Sequence, residues 1–337
     1  MAETTAPVRG PGAATGPGPR VVYFSQDGPV ADVYRSHLPA GWRFAALRDR
    51  GDEREQLRLL ADADVVVHTD TPISRRHVEA APHLALVQRQ GVGVDALDLP
   101  ALRDHGVAVA ICPDGTAAAV AEHTLMLMLA AGRHLLRLHE GVVGGSWPKW
   151  DYRNRSLGLH GALVGIVGFG RIGRAVARRL LAFGSELLVH RRGGAPLPGE
   201  WAGPHVQVCS TLEELFGRSD VVTLHCPLLP ETRGMVDGRL LGLMKADAVL
   251  VNTARGALVI EDDLVEALRC SRPAAAGLDV LATEPPPGGS PLLTLPNVVL
   301  TPHTGAGTKQ TQIVKARAVL ANIARMWAGE SLENRVL

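Results

Sequence analysis

Short apolar runs alternate with longer amphipathic stretches along most of the chain after residue 19. The run RVVYFS at 20–25, for example, is followed at 29–38 by a mixed stretch of helical character. Buried strands that are separated by amphipathic helices are typical of a parallel sheet. The first half of the chain is therefore predicted to form an α/β domain. Its predicted strands are 20–25, 64–69, 84–91 and 106–112, and its predicted helices are 29–38, 52–62, 74–81 and 98–105.

A second α/β series begins at residue 162. Its strands are predicted at 162–170 (with a turn), 186–191, 220–227, 248–255, 274–281 and 297–303, and its helices at 171–183, 211–219, 238–244 and 261–269. A last helix is predicted at about 306–328. Two successive series of this kind predict two Rossmann-like α/β domains with parallel sheets and a cleft between them.

One long helix is predicted between the two series, at 118–142, because this segment is rich in Ala, Leu and Met and is followed by glycine. Its histidines, His123, His134 and His139, fall at helical spacing and are interpreted as polar edges of a packed helix. The segment 144–156 is predicted to be an exposed loop.

Composition narrows the class of protein. The 337 residues suffice for two domains, and 35 basic against 34 acidic side chains give no field that would attract nucleic acid or an anionic membrane. No apolar run reaches the about 18 residues of a membrane span. Residues 1–19 contain no apolar signal core and are predicted to be a disordered tail. The four scattered cysteines form no CxxC pair, so we expect a cytoplasmic protein without disulfides or a metal site.

A glycine-rich turn provides the first chemical motif. The segment VGIVGFGRIGRAVARRL at 164–180 places Gly168, Gly170 and Gly173 between a strand and a helix. The first glycine allows a tight turn, the second lets the backbone approach a pyrophosphate, and the third permits close packing of strand and helix. The backbone N–H groups of Arg171 and Ile172 are expected to meet the pyrophosphate. The motif predicts dinucleotide binding.

The next strand ends at His190, Arg191 and Arg192, where NAD-binding domains usually carry an acid for the ribose hydroxyls. Guanidinium groups bind phosphate oxygens, and an acid would repel a 2′-phosphate. The strand end therefore favours NADP(H), with NAD(H) bound without discrimination as the alternative.

Several motifs together are similar to those of one enzyme family. They are GVGVD (91–95), VAEHTLMLML (120–129), GIVGFGRIG (165–173), CPLLPETRG (226–234), NTARGALV (252–259), and the later LDV, EP and LTPH segments. In this order and spacing the chain resembles the D-isomer-specific 2-hydroxyacid dehydrogenases. The resemblance implies a flavodoxin-like substrate domain at 20–118 and 305–337, and a dinucleotide-binding domain at 119–304. It also implies a homodimer formed through the long helix and its following loop.

Three residues have the chemistry that reduction of a 2-keto acid requires. Arg255 can bind the substrate carboxylate, and His303 can donate a proton to the carbonyl oxygen near neutral pH. Glu284 can orient the His303 imidazole and favour its protonated form. The catalytic trio of the family corresponds to Arg255, Glu284 and His303.

The resemblance extends to further residues of both predicted domains. Asp279 is expected to reach the nicotinamide carboxamide, and the N–H groups of Val92 and Gly93 to hold the substrate carboxylate. Gln90 and Arg89 could add polar contacts to an anionic substrate. The adenosine-side wall would include Cys226, Pro227 and Thr232, and the nicotinamide shelf would include Thr253 and Ala254.

Two alternatives remain open from the sequence. The same fold could act on phosphite or a phosphonate-bearing keto acid. Formate is disfavoured, because formate-oxidising relatives have Gln where this chain has Glu284. A corepressor-like protein, which uses dinucleotide binding to control protein assembly, is the more remote alternative.

Overall fold

A computed structural model describes residues 18–193, 197, 199–201 and 203–337. The predicted disordered tail therefore lies outside the described residues, apart from Gly18 and Pro19. The chain forms two compact units. Unit 1 contains the described residues up to Thr116 together with Thr308–Leu337, and unit 2 contains Ala117–Gly307.

Unit 1 is built on a five-stranded parallel sheet with the strand order β2-β1-β3-β4-β5. This is the order of flavodoxin-like folds. The strands are β1 (Arg20–Gln26), β2 (Arg43–Leu47), β3 (Val65–His68), β4 (Leu86–Arg89) and β5 (Ala108–Ile111), and the helices are α1 (Pro29–His37), α2 (Glu53–Leu60), α3 (Arg75–Glu79) and α4 (Leu99–Asp104).

Unit 2 is built on a seven-stranded parallel sheet with the order β12-β11-β10-β9-β6-β7-β8. The order reverses between β6 and β9, which is the point where open α/β sheets bind ligands. The helices are α5 (Thr116–Gly132), α6 (Leu135–Val143), α7 (Arg171–Ala182), α8 (Leu212–Arg218), α9 (Gly238–Leu243) and α10 (Glu261–Arg269). The strands are β6 (Leu163–Val167), β7 (Glu186–His190), β8 (Val206–Val208), β9 (Val221–Leu224), β10 (Val249–Asn252), β11 (Ala275–Leu278) and β12 (Val298–Leu300). The predicted α/β class with two parallel sheets is confirmed.

The last helix, α11 (Lys309–Trp327), returns the chain to unit 1. Its residues Ala316, Val319 and Ile323 are completely buried against the same face of the sheet as Tyr23 and Val67. Burial of such a row of apolar side chains stabilises the fold by about 25 cal/mol for each Å² of apolar surface that is removed from water. The C-terminal segment is therefore part of the unit 1 core.

The long helix predicted at 118–142 is two helices, so that prediction was wrong. His134 adopts a left-handed conformation with φ of +53° and separates α5 from α6. Leu157 N–H donates to the carbonyl of Gly132 at 2.7 Å, and a Cβ at Gly132 would be 3.3 Å from the Leu157 side chain. A segment about 25 residues further along the chain thus contacts the last turn of α5 and ends the helix there. The local periodicity of the sequence does not reveal that contact.

Two edge strands were absent from the sequence-based prediction. They are β2, with the sequence RFAAL, and β8, with the sequence VQV. Both lie at a sheet edge and are only partly buried, so they lack the continuous apolar run of the central strands. Within the described part of the chain, no helix has the length and apolar character needed to cross a membrane.

Candidate active site

Gly168 and Gly173 give the turn between β6 and α7 its shape. Gly168 has φ of +94°, and a Cβ there would be 2.7 Å from the carbonyl of His225. A Cβ at Gly173 would overlap the carbonyl oxygen of Gly168. Only glycine fits these two positions, because one needs a left-handed backbone and the other a close approach of helix to turn.

The start of α7 has the properties of an anion site. A Cβ at Gly170 would meet no described atom within 4 Å, so there is open space at the helix N-terminus. Among the described residues, no side chain caps this end. The first helical hydrogen bond runs from Arg174 N–H to Gly170, so the N–H groups of Arg171 and Ile172 remain outside the helical ladder. The residues present therefore fit a dinucleotide pyrophosphate.

The positive charge at the end of β7 comes from arginine side chains and not from His190. Burial lowers the pKa of His190, while a hydrogen bond with the Ser210 backbone and the nearby Glu213 act in the opposite direction. The imidazole is therefore neutral at pH 7. Arg192 forms an exposed ion pair with Glu231 at 2.8 Å.

The loop after β9 is fixed by its own hydrogen bonds. Thr232 Oγ1 accepts from Leu229 N–H and donates to the carbonyl of Pro227, both at 2.8 Å. Cys226 packs against the core of unit 2, and burial raises the pKa of its thiol to about 11. The Cys226 thiol is therefore protonated at neutral pH.

The next strand, β10, is followed by the two residues that are predicted to form the nicotinamide shelf, Thr253 and Ala254. Thr253 is buried, and its hydroxyl lies 2.9 Å from that of Thr124 on α5. Ala254 packs against the core of unit 2. Both lie at the carboxyl end of the sheet, directly after the strand next to β9.

Arg255 is held by the turn that follows β10. The side chain of Asn252 accepts from Ala254 N–H at 3.0 Å and donates to the Arg255 carbonyl at 2.9 Å. The Arg255 guanidinium donates to the carbonyl of Ala254 at 2.7 Å. A Cβ at Gly256 would overlap the backbone of Leu281. Glycine at 256 therefore lets the Arg255 turn approach the loop that carries Glu284.

His303 and Glu284 form a hydrogen-bonded pair after β12 and β11. His303 Nδ1 lies 2.7 Å from Glu284 Oε2, and Glu284 Oε1 accepts from Leu281 N–H at 3.0 Å. Burial by itself raises the Glu284 pKa, but these hydrogen bonds outweigh it and hold the pKa below its ordinary value. Glu284 is therefore ionised at neutral pH. With Nδ1 directed at the carboxylate, Nε2 is the His303 atom that can exchange a proton with a substrate.

Asp279 lies buried at the end of β11 and accepts several hydrogen bonds. Its carboxylate accepts from the Thr301 hydroxyl at 2.6 Å, from Thr304 N–H at 2.9 Å and from Gly305 N–H at 2.8 Å. Burial raises its pKa, but hydrogen bonds from His123 and these donors outweigh burial and lower it. The predicted contact of Asp279 with a carboxamide stays a prediction.

In unit 1 the predicted substrate loop follows β4. Val92 is exposed, whereas Gln90 is buried and its amide donates to Gln312 at 2.7 Å. Arg89 donates from Nε to the carbonyl of Gly93 at 2.7 Å, so its guanidinium stabilises the conformation of the loop. The role of Gln90, Val92 and Gly93 as substrate ligands stays a prediction.

Sequence reasoning missed three residues that shape the site. No role was predicted for Gly256 or for Thr301. His123 was predicted to be part of the polar edge of a packed helix. Two signals were available. Gly256 directly follows the candidate arginine, and Thr301 lies two residues before the candidate histidine. The described residues contain no cluster of three His, Cys, Asp or Glu side chains that could hold a metal.

Comparison with known proteins gives consistent relatives. A D-3-phosphoglycerate dehydrogenase of Methanocaldococcus jannaschii is 39% identical over 287 residues, which are 84% of this chain and 53% of that protein. A hydroxypyruvate reductase of Blautia hydrogenotrophica is 35% identical over 267 residues, which are 77% of this chain and 81% of that protein. The chain thus spans about half the length of the D-3-phosphoglycerate dehydrogenases it matches.

A solved structure and a family model agree with these relatives. The crystal structure of the TT0316 protein from Thermus thermophilus matches with a TM-score of 0.82 and 36% identity, covering 94% of this chain and 99% of that one. The model of the D-isomer specific 2-hydroxyacid dehydrogenase NAD binding domain matches residues 125–305, which include the glycine turn and the His303–Glu284 pair. The chain belongs to the D-isomer specific 2-hydroxyacid dehydrogenase family.

Proposed function

We propose that this protein is an NADP(H)-preferring oxidoreductase that interconverts a 2-keto acid and a D-2-hydroxy acid. The observation that carries the proposal is the His303–Glu284 pair, with Nδ1 and Oε2 2.7 Å apart, in the same unit as a glycine turn that fits a pyrophosphate. Relatives named as hydroxypyruvate reductases support a small 2-keto acid as substrate.

Each residue of the trio has a defined task in this proposal. A nicotinamide cofactor, held at its pyrophosphate by the N–H groups of Arg171 and Ile172, would supply the hydride that reduces the keto acid. His303 Nε2 donates a proton to the carbonyl oxygen, and the ionised Glu284 stabilises the imidazolium before the transfer. Arg255 binds the carboxylate and draws electron density from the carbonyl. In the oxidative direction His303 accepts the proton.

The remaining predicted contacts belong to the same proposal. The N–H groups of Arg171 and Ile172 bind the pyrophosphate, and Asp279 orients the carboxamide. In unit 1, the N–H groups of Val92 and Gly93 bind the substrate carboxylate, and Gln90 adds a polar contact to the substrate. The loop with Cys226, Pro227 and Thr232 flanks the adenosine, and Thr253 and Ala254 flank the nicotinamide.

NADP(H) preference rests on Arg191 and Arg192. Because His190 is neutral at pH 7, the positive charge at the end of β7 belongs to the two guanidinium groups. Arg191 directly follows the last residue of β7, where the usual acid would stand, and is therefore the principal proposed ligand of the 2′-phosphate. Arg192 is one position further on, where it forms an exposed ion pair with Glu231.

We further propose a cytoplasmic homodimer. Unit 2 exposes a group of large apolar side chains on α5, α6 and the loop after α6, which a second copy would cover. They are Met126, Leu135, Leu136, Val142, Val143, Trp147 and Trp150. The four cysteines are free thiols, and Cys270 is exposed, which suits a reducing compartment.

A substrate panel with both cofactors tests the activity. Glyoxylate, hydroxypyruvate, pyruvate, phenylpyruvate and phosphonopyruvate are offered for reduction and phosphite for oxidation, and NAD(P)H absorbance is followed. We expect reduction of at least one 2-keto acid, faster with NADPH than with NADH. His303→Ala and Arg255→Ala are expected to lose about 10²–10³-fold in kcat while NADPH still binds. Turnover of phosphite alone, or no turnover with any compound, would contradict the proposal.

A further inference from the structure

A continuous set of hydrogen bonds joins α5 to the loop that carries His303. His123 on α5 places Nε2 2.8 Å from the Thr301 hydroxyl and 3.2 Å from Asp279 Oδ1. Thr301 in turn donates to Asp279 Oδ1 at 2.6 Å. All of these groups belong to unit 2, and Asp279 is only 3% exposed.

The direction of each hydrogen bond follows from the ionised Asp279. A carboxylate can only accept, so the single proton of the Thr301 hydroxyl is donated to it. The same hydroxyl oxygen must then accept from His123. His123 therefore carries a proton on Nε2, and its ring is oriented with Nε2 toward Thr301 and Asp279. No other assignment satisfies all three contacts.

The backbone around His303 depends on the same carboxylate. Asp279 accepts from the N–H groups of Thr304 and Gly305, directly after His303, and its carbonyl accepts from His303 N–H at 2.8 Å. His303 itself has φ of +51°, a left-handed conformation that is unfavourable for a residue with a side chain. Hydrogen bonds on both sides of His303 thus hold it in a strained conformation in which its Nδ1 meets Glu284.

We infer that His123 and Thr301 are positioning residues, which act through Asp279 to direct the His303 imidazole at Glu284. The inference deepens the proposed function, on which it rests for the role of His303. Neither residue needs to touch the substrate or the cofactor. Their effect falls on the acid–base step, because that step requires Nδ1 to stay on the carboxylate and Nε2 to face the substrate.

Isosteric substitutions separate this role from packing. Thr301→Val keeps the shape and removes the hydroxyl, whereas Thr301→Ser keeps the hydroxyl. His123→Phe removes the donor, whereas His123→Gln keeps an N–H at a similar distance. We expect Thr301→Val and His123→Phe to lower kcat about 10- to 100-fold, with little change in the NADPH dissociation constant. Thr301→Ser and His123→Gln should recover most of the lost activity.

The pH profile supplies a readout that simple loss of packing would not move. When His303 drifts from Glu284, its protonated form is less favoured, so the alkaline limb of the kcat profile should move to lower pH. The exposed Thr294, whose hydroxyl donates to Pro291, offers a matched control. Thr294→Val should leave both kcat and the profile unchanged.

A measurement without turnover separates the inference from the proposed function. The ring signals of His303 are identified in the free protein by their loss in His303→Gln, and are then titrated in Thr301→Val and His123→Phe. A titration midpoint displaced to lower pH in both variants supports the inference even if no 2-keto acid is reduced. Wild-type midpoints in both variants would overturn it. If Thr301→Val does not fold, His123→Phe and His123→Gln decide the question alone.

Discussion

At the residue scale, the proposed preference for NADP(H) depends on one strand end. Arg191→Asp is expected to weaken NADPH binding about 10- to 100-fold, which is the usual effect of losing a charge-assisted hydrogen bond. NADH binding should change much less, because NADH has no 2′-phosphate. Dissociation constants measured by NAD(P)H fluorescence check both statements.

Arg192→Asp is the matched control for that substitution. Arg192 lies one position beyond the place of the usual acid at the end of β7, so its loss should weaken NADPH binding less than the loss of Arg191. Equal weakening of NADPH and NADH by Arg191→Asp would contradict the assignment of this residue to the 2′-phosphate.

A second residue-scale prediction concerns pH and stability in unit 1. His68 is completely buried, and its Nε2 donates to the Thr71 carbonyl at 2.8 Å. Burial, with help from the nearby Arg89, lowers the His68 pKa to about 4. Between about pH 4 and about 6.5 the unfolded chain therefore binds a proton that the folded protein does not. Stability should fall as the pH decreases through this window.

Urea unfolding at several pH values tests the role of His68. The stability lost between about pH 7 and about pH 4 should be smaller in His68→Gln than in the wild type, because Gln keeps a side-chain donor but does not titrate. An identical pH dependence in the two proteins would show that His68 does not cause the loss.

At the element scale, the turn after β10 shows what spacing can predict and what it cannot. The motif NTARG identified Arg255 as a candidate, since its chemistry and its place after a strand are local facts. The need for Gly256 is different. It arises because the loop after β11, which comes much later in the chain, passes directly over that turn.

Gly256→Ala should therefore damage the site as well as the fold. The added Cβ must displace the backbone of Leu281, whose N–H holds Glu284. We expect a loss of about 1–3 kcal/mol in unfolding free energy together with a lower kcat. Thermal unfolding and steady-state kinetics measure the two effects.

Gly242→Ala in α9 is the control for Gly256→Ala. A Cβ at Gly242 would meet no described atom within 4 Å, and alanine is the better helix former by about 1 kcal/mol. This variant should be as stable as the wild type or more stable, with unchanged kcat. Normal stability and activity of Gly256→Ala would contradict this prediction, because they would show that the Leu281 backbone can move away from the added Cβ at little energetic cost.

At the scale of the whole molecule, the exposed apolar side chains of unit 2 are the basis for a prediction of assembly. Val143 is 73% exposed and Trp150 is 66% exposed, and both belong to the segment from α5 to the loop after α6 that exposes five further large apolar side chains. We expect the protein to sediment as a dimer, and the double variant Val143→Asp, Trp150→Glu to sediment as a monomer. Analytical ultracentrifugation distinguishes the two states.

Leu243→Glu is the control for assembly. Leu243 is also exposed, at 42%, but lies on α9, outside the α5–α6 group. Its substitution should leave the dimer intact. A wild-type protein that sediments as a monomer at micromolar concentration would contradict the proposed homodimer.

The sequence by itself determined the α/β class, the glycine turn and the chemistry of Arg255, Glu284 and His303. These features depend on short-range periodicity and on side-chain types within a few positions of a strand end. The edge strands β2 and β8 and the break between α5 and α6 were not predictable in the same way. Their burial and hydrogen bonds depend on partners distant in sequence.

Only the tertiary structure decided how the His303 loop is held. Asp279, Thr301 and His123 lie up to 178 positions apart in the chain, yet their polar atoms lie within hydrogen-bonding distance. A buried carboxylate must be satisfied by whatever donors the fold brings to it, and no local pattern specifies which ones. The sequence thus supplies the candidate reacting groups, and only the fold brings His123 of α5 into hydrogen-bonding distance of the loop that carries His303.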